Sequence, residues 1–266
     1  MKSLHPLDEL AIIQNLKTCY LGRKISITSE CTSTNDIVKS SAGKGAPHGF
    51  VSISEIQSAG RGRFGRSWVS PAGGIWLSIL LRPRSNQSFL DSLPLLGALA
   101  IAEAVSAQLS LNARVRWPND VVVDDQKIAG ALAEAKSKGN ELVYAILGLG
   151  INANFSTDEI GASTNAATLQ SLQGAPIDRV ALICRLLSEV ENLYELLCAG
   201  MVGKIVSLVR EFECSRRRSV RVKLRDRQLL GIVDDYQTLG RVRLLTRQGS
   251  QSIDTTTVLS VEYQSN

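Results

Sequence analysis

Residues 115–135 read VRWPNDVVVDDQKIAGALAEA, and their pattern decides the architecture. Val115-Arg116-Trp117, Val121-Val122-Val123 and Ile128 to Ala135 are β-branched or alternating runs of the kind found in strands. Between them lie Pro118-Asn119-Asp120 and Asp124-Asp125. Proline fixes φ, and Asn and Asp side chains bond their own backbone, so both spacers are tight turns. Turns this short leave no length for the helix that links parallel neighbours, so these strands run antiparallel.

Outward from this stretch the pattern continues. Ile25 to Ser29, Phe50 to Ile56, Gly74 to Leu81 and Tyr144 to Asn152 read as further strands, and residues 8–19, a short segment opening at Ser33 or Thr34, and Pro94 to Leu109 read as helices. Strands that are mostly hairpin neighbours, with helices inserted between some of them, predict an α+β fold. Its sheet is mixed and largely antiparallel with flanking helices, and a Rossmann βαβ repeat is disfavoured. Residues 179–213 give two amphipathic helical segments. From Arg216 onward short alternating strands predict a small β-barrel-like unit. The expected division is a domain at 1–213 and a second at 214–266.

The formal net charge is +5. Residues 214–266 hold 10 basic and 5 acidic side chains, so the entire surplus lies there and residues 1–213 are balanced. No stretch reaches the length of a charge-free membrane span, since Leu93 to Leu109 contains Glu103, and Asp8 and Glu9 stand where a signal peptide would be basic then apolar. The chain reads as cytoplasmic, with no membrane partner. Cys19, Cys31, Cys184, Cys198 and Cys214 never fall in CxxC spacing, and His5 and His48 are the only histidines. That excludes cysteine–histidine metal clusters and a disulfide framework, so any catalytic metal is a hard ion on carboxylates and phosphates.

Three groups of residues carry chemistry. Gln57-Ser58-Ala59-Gly60-Arg61-Gly62-Arg63-Phe64-Gly65-Arg66 places three arginines on a glycine-rich loop. Alone it reads equally as an anion-binding loop or as a solvated basic run. In Trp117-Pro118-Asn119-Asp120 followed by Lys127 and Gly130, a hairpin at Asp124-Asp125 returns Lys127 beside Asp120. The result is a salt-bridged hairpin or a pair suited to work on a phosphate or carboxylate. Gly148-Leu149-Gly150-Ile151-Asn152 is a glycine-punctuated strand end, which also serves close packing.

Taken in order with Ser33-Thr34-Asn35 and with Trp68 and Ser70-Pro71, these motifs resemble those of the biotin–protein ligases, from about residue 25 to the C-terminus. The resemblance implies a class II synthetase-like catalytic domain followed by an SH3-like barrel. It also implies an ATP-dependent enzyme that makes biotinyl-5′-AMP with Mg²⁺ and passes biotin to a lysine of a biotin carboxyl carrier protein. Ser33, Thr34, Asn35 and Gln57 are then expected at the ring end of biotin, with Gly60, Arg61, Gly62, Arg63, Trp68, Lys127 and Gly130 completing the biotin contacts. Arg61, Arg63, Arg66, Asn119 and Asn152 are expected at the nucleotide. Lys127, Arg63 and Asp120 are expected as the catalytic groups, and Asp120 also as the metal position. Phe64 stands where many members carry a further arginine. The segment before Thr32 is too short for the winged helix of repressor members, so no operator-specific DNA binding is expected, and a sheet-edge homodimer is the family's common assembly. Two other readings are a lipoate-type acyl–protein ligase and, from a different class, a basic nucleic-acid-binding protein.

Overall fold

The alternation at 115–135 continues through a seven-stranded sheet in the computed structural model, which describes residues 6–83, 87–139, 141–161 and 165–264. His5 falls outside those residues. The strands are β1 (Ile25–Cys31), β2 (Val51–Gln57), β3 (Ile75–Leu81), β4 (Arg114–Arg116), β5 (Asp120–Val123), β6 (Gln126–Lys138) and β7 (Glu141–Ile151), in the order β1-β2-β3-β7-β6-β5-β4. The helices are α1 (Glu9–Asn15), α2 (Thr34–Gly43), α3 (Gln87–Leu109), α4 (Leu169–Gln173), α5 (Arg179–Cys198) and α6 (Val202–Phe212). Only β1 and β2 run parallel, joined across α2, and the other neighbours are antiparallel. The sheet is therefore mixed, as expected.

The long helix α3 lies on the sheet and against α5. It begins at Gln87, before the expected start at Pro94, and carries that proline inside. Leu93, Leu96, Ala98, Leu99, Ile101 and Val105 are fully buried. A helix apolar on every side belongs in a core. Its Phe89–Leu109 segment is long and apolar enough to cross a bilayer, and 72% of the most apolar window within it is buried inside the protein. At Gly97 a Cβ would lie 2.9 Å from both Ala131 Cβ and Leu149 Cδ2, so the missing side chain lets α3 sit directly on β6 and β7.

A second, five-stranded antiparallel sheet holds β8 (Ser219–Lys223), β9 (Gln228–Thr238), β10 (Arg241–Thr246), β11 (Gly249–Asp254) and β12 (Ser260–Tyr263), in the order β11-β10-β9-β8-β12. Val220, Val222, Val233, Val242 and Leu244 face inward, and their hydrophobic cluster is continuous with that of the first sheet. Arg221 and Arg241 point outward. The edge strand β11, GSQSID, lacks apolar alternation and carries no strand signal of its own; it forms by pairing with β10. One residue ties the sheets together. Trp117 donates its backbone N–H to Ser215 Oγ (2.9 Å) and its indole N–H to Thr255 Oγ1 (3.2 Å), and its carbonyl accepts from Tyr263 Oη (2.8 Å).

Glu103 on α3 generates a test. Burial pushes its carboxyl up from 4.5 to about 7, with repulsion from Glu189 adding to the effect. The folded state thus holds this proton more tightly than the unfolded chain, and stability falls as pH rises from about 4.5 to 7. The substitution Glu103→Gln is expected to flatten that dependence and to exceed the parent in stability at pH 8, read from urea midpoints at pH 5 and 8. Identical pH slopes in the two proteins would exclude this origin.

Candidate active site

The first turn of α2 sets one end of the site. Ser33 occupies the N-cap position in extended backbone, but its side chain makes no capping bond. Capping, the structural role its position suggested, is not what the hydroxyl does. Ser33, Thr34 and Asn35 are all buried. Gln57 Oε1 accepts from the Thr34 backbone N–H (2.9 Å) and hydroxyl (3.1 Å), while Gln57 Nε2 donates to Ser70 Oγ (3.0 Å). Ser78 Oγ lies 2.6 Å from Thr34 Oγ1 and donates to Asn35 Oδ1 at 2.6 Å. A Cβ at Gly148 would come within 2.5 Å of Asn35 Oδ1. This end is a small, neutral, hydrogen-bonded polar nest.

Next along the sheet Trp68 lies over two glycines. Its indole Nε1 would be 2.9 Å from a Cβ at Gly150, and its ring 3.4 Å from one at Gly130. That Nε1 is buried and has no hydrogen-bond partner within the protein. A buried donor left unmade is costly, so it marks a place for an acceptor from outside the chain. The β5–β6 hairpin turns at Asp124 and Asp125, both at left-handed φ (48° and 62°), and returns Lys127 to Asp120: Nζ and Oδ1 are 2.7 Å apart. The same ammonium is 5.0 Å from the Trp68 ring centroid. Asn119, after the cis Trp117–Pro118 peptide, donates to Ala131 O (2.8 Å) and accepts from Arg63 Nη1 (3.4 Å).

The loop arginines diverge. Arg61 forms a two-pronged pair with Asp36 (both bonds 2.8 Å) and also reaches Glu134 (3.3 Å), and its hydrogen bonds hold the Asp36 carboxyl below the ordinary carboxylate value. Arg63 donates to Thr255 O (2.5 Å) and Val258 O (3.1 Å), and Arg66 to Leu259 O (2.8 Å), so the loop is fastened to the second sheet. Burial drives the Arg63 guanidinium down to about 10. Phe64 adopts left-handed backbone (φ 56°), with the Arg63 guanidinium 5.2 Å from its ring centroid. At the far end Arg116 and Arg218 lie over the Tyr263 ring at 5.8 and 5.0 Å.

These groups line one cavity of about 510 Å³. Of the expected residues, Ser33, Thr34, Asn35, Gln57, Arg61, Gly62, Arg63, Arg66, Trp68, Asn119, Asp120, Lys127 and Gly130 face it. Two do not. Asn152 is buried behind the wall, donating to Ala167 O (3.1 Å) and Lys127 O (3.4 Å), and so braces the Lys127 segment. At Gly60 a Cβ would meet Trp68 O at 2.4 Å and Ser70 Oγ at 2.6 Å, which explains why no side chain fits there. Asp120, the expected metal position, faces the cavity with its Oδ1 paired to Lys127. Among the described residues no three His, Cys, Asp or Glu side chains converge as a metal site. Ser78, Asp125, Arg218 and Tyr263 carry no local signal that singles them out. They sit in strands or turns of ordinary composition, and only folding brings them to the cavity.

The Biotin/lipoate A/B protein ligase family model matches residues 27–152. The biotin–[acetyl-CoA-carboxylase] ligase of Mycobacterium tuberculosis is 33% identical over 196 residues, 70% of each chain. The chain belongs to this family. The bifunctional ligase/repressor BirA of Bacillus subtilis is 30% identical over 191 residues, 71% of this chain and 59% of that protein, so the match spans little more than half of that longer relative. Among solved structures, the Aquifex aeolicus biotin protein ligase in complex with biotin and ATP superposes with a TM-score of 0.76 at 26% identity, covering 91% of this chain and 100% of that one. The family fold accounts for the large mixed sheet with its helices and for the small antiparallel sheet that follows.

The Trp68 stack is open to a direct check. A methyl at Gly150 meets the indole at 2.9 Å, and Trp76 and Trp117 are buried. The substitution Gly150→Ala is therefore expected to lift Trp68 alone, shifting tryptophan emission to the red and raising acrylamide quenching while the far-ultraviolet dichroism stays unchanged. Quenching equal to the parent's would show that the ring does not rest on this glycine.

Proposed function

We propose that the chain is a biotin–protein ligase, which activates biotin with ATP to biotinyl-5′-AMP and transfers biotin to one lysine of a biotin carboxyl carrier protein. The observation that carries this reading is the order of groups along one cavity. A neutral polar nest at Asn35 and Gln57 leads to the Trp68 wall beside Lys127, and then to a cluster of guanidiniums. A volume of about 510 Å³ is in the range of small-molecule sites. A ureido ring suits the first region, an aliphatic tail ending in a carboxylate the second, and a nucleotide polyphosphate the third. The Aquifex aeolicus relative, solved with biotin and ATP, supports the assignment by its likeness.

In the first step a biotin carboxylate oxygen bonds to the α-phosphorus of ATP, and the bond to the β-phosphate oxygen breaks with its electron pair leaving on pyrophosphate. Two anions must meet, and negative charge moves onto the phosphoryl oxygens in the transition state. Lys127 is held over Trp68 by Asp120, so its ammonium is already oriented where the carboxylate would arrive. Preorganised charge of this kind lowers the barrier because nothing reorients as the reaction proceeds. Arg63, with its N–H groups in the same cavity, is placed to hold the adenylate. In the second step an uncharged acceptor lysine attacks the mixed anhydride, AMP leaves with the bonding electrons, and the amine releases a proton. The loop from Gly60 to Arg66, pinned to the second sheet by Arg63 and Arg66, shields the anhydride from water. An ion accompanying ATP would draw ligands from phosphate and water, with Asp120 the carboxylate at the cavity wall beside Lys127.

Incubation with ATP, Mg²⁺ and biotin, followed by a carrier domain, should give a streptavidin-reactive product, with biotin far exceeding lipoate in adenylate formation; no product with any carrier domain would sink the reading. Removing the ammonium in Lys127→Ala should lower adenylation roughly 10²- to 10³-fold, the usual effect of losing one preorganised group. In Arg63→Gly adenylate should form and escape, so that bystander lysines become labelled. Retention of specificity in that variant would remove Arg63 from adenylate holding.

A further inference from the structure

The far end of the cavity has machinery that the steps above leave unused. Arg116 on β4 is opposite Asp120 on β5, and its Nη1 donates to Asp125 O (3.1 Å). Arg218, just before β8, pairs through Nη1 with Asp125 Oδ1 at 2.6 Å. Both guanidiniums pack over Tyr263. The Tyr263 hydroxyl gives its single proton to Trp117 O, so Ser215 donates to it in turn, and the ring is fixed from both sheets.

The charges do not balance. Among the described residues, six cationic side chains and two carboxylates line the cavity. Asp120 answers Lys127, while the Asp125 carboxylate at the cavity wall pairs with Arg218 and its backbone carbonyl accepts from Arg116. Arg63, Arg66 and Arg116 donate to neutral oxygens. A guanidinium carries five N–H donors, so Arg116 and Arg218 each keep donors beyond those that hold Asp125. Geometry adds a direction. Displacement at phosphorus is roughly in line, so nucleophile and leaving group sit on opposite sides. With the biotin carboxylate arriving from the Trp68 side at Lys127, the departing group lies away from Trp68, toward Arg116 and Arg218.

We propose that Arg116 and Arg218, braced by Asp125 and Tyr263, form a subsite for the β- and γ-phosphates of ATP and for the pyrophosphate that leaves, assembled from both sheets. This rests on the reading of ATP as substrate. The pair binds the polyphosphate through charge-assisted bonds and stabilises the leaving group as its P–O bond breaks. Because Arg218 lies just before β8, the segment that leads into the second sheet supplies a substrate-binding residue.

The test has two arms on the full chain. Inorganic pyrophosphate is titrated calorimetrically without biotin, and biotin-dependent exchange of labelled pyrophosphate into ATP is followed separately. Arg116→Ala and Arg218→Ala should each weaken pyrophosphate binding and raise the ATP KM by roughly tenfold to a hundredfold, the scale of a lost bond to a charged group. The KM for biotin should stay unchanged. Arg221→Ala, on the outward face of β8, should match the parent throughout, and Arg218→Lys should recover part of the affinity. Parent-like pyrophosphate affinity in folded Arg116→Ala and Arg218→Ala overturns the subsite, as does a parent protein that binds no pyrophosphate. If either alanine variant fails to fold, Arg116→Gln and Arg218→Lys are judged by the same affinities. Pyrophosphate binding without biotin-dependent exchange would overturn the ligase reading and leave the subsite standing.

Discussion

The rest of the architecture depends on the bonds that Trp117 makes with the second sheet. Its indole and backbone are satisfied by Ser215, Thr255 and Tyr263, so a buried residue of the first sheet has its polar atoms met only when the second sheet is docked. Leaving such groups unpaired in a dry interface costs more than forming them gains, which makes the docked arrangement specific. Two consequences follow in space. Asn119 and Asp120 leave Trp117 and Pro118 in a fixed direction into the cavity, and the carbonyls of 255–259 come within reach of Arg63 and Arg66.

Charge is distributed with the same economy. The overall +5 suggests a basic surface, yet residues 1–213 are balanced. What matters at the cavity is how each cation is compensated. Arg61 and Lys127 face carboxylates, while Arg63, Arg66 and Arg116 hold carbonyl oxygens and keep their full charge for a ligand. Three arginines that look equivalent along the loop therefore do different work. Arg61 fastens the loop to α2 through Asp36, and Arg63 and Arg66 fasten it to the second sheet.

Much of this was legible in the chain. The antiparallel hairpin at Asp124-Asp125 and the return of Lys127 to Asp120 follow from turn chemistry and period-two alternation, both of which are local. The nest at Ser33, Thr34, Asn35 and Gln57 was accessible only through motif order, since nothing local in those residue types distinguishes a helix cap from a ligand contact. Local pattern misled in instructive ways. Pro94 reads as a helix start and lies inside α3, and GSQSID, which carries no strand signal, is β11; Asn152, expected at the nucleotide from the motif resemblance alone, donates to Ala167 O.

The sequence by itself determined the order of the strands and helices that carry their own periodicity, the hairpin that pairs a carboxylate with an ammonium, and the presence of an arginine-bearing glycine loop. Each of these depends on residues within a few positions of one another. Only the tertiary structure decided which arginine meets a carboxylate, that Tyr263 and Arg218 come to a cavity built mainly by residues 33–150, and that Trp68 rests on Gly130 and Gly150 with its N–H unanswered. Those outcomes depend on bonds between positions far apart in the chain, such as Arg63 with Thr255 and Trp117 with Tyr263. The partner of a long charged side chain is set by which backbone atoms folding brings within about 3 Å of it, and periodicity does not encode that.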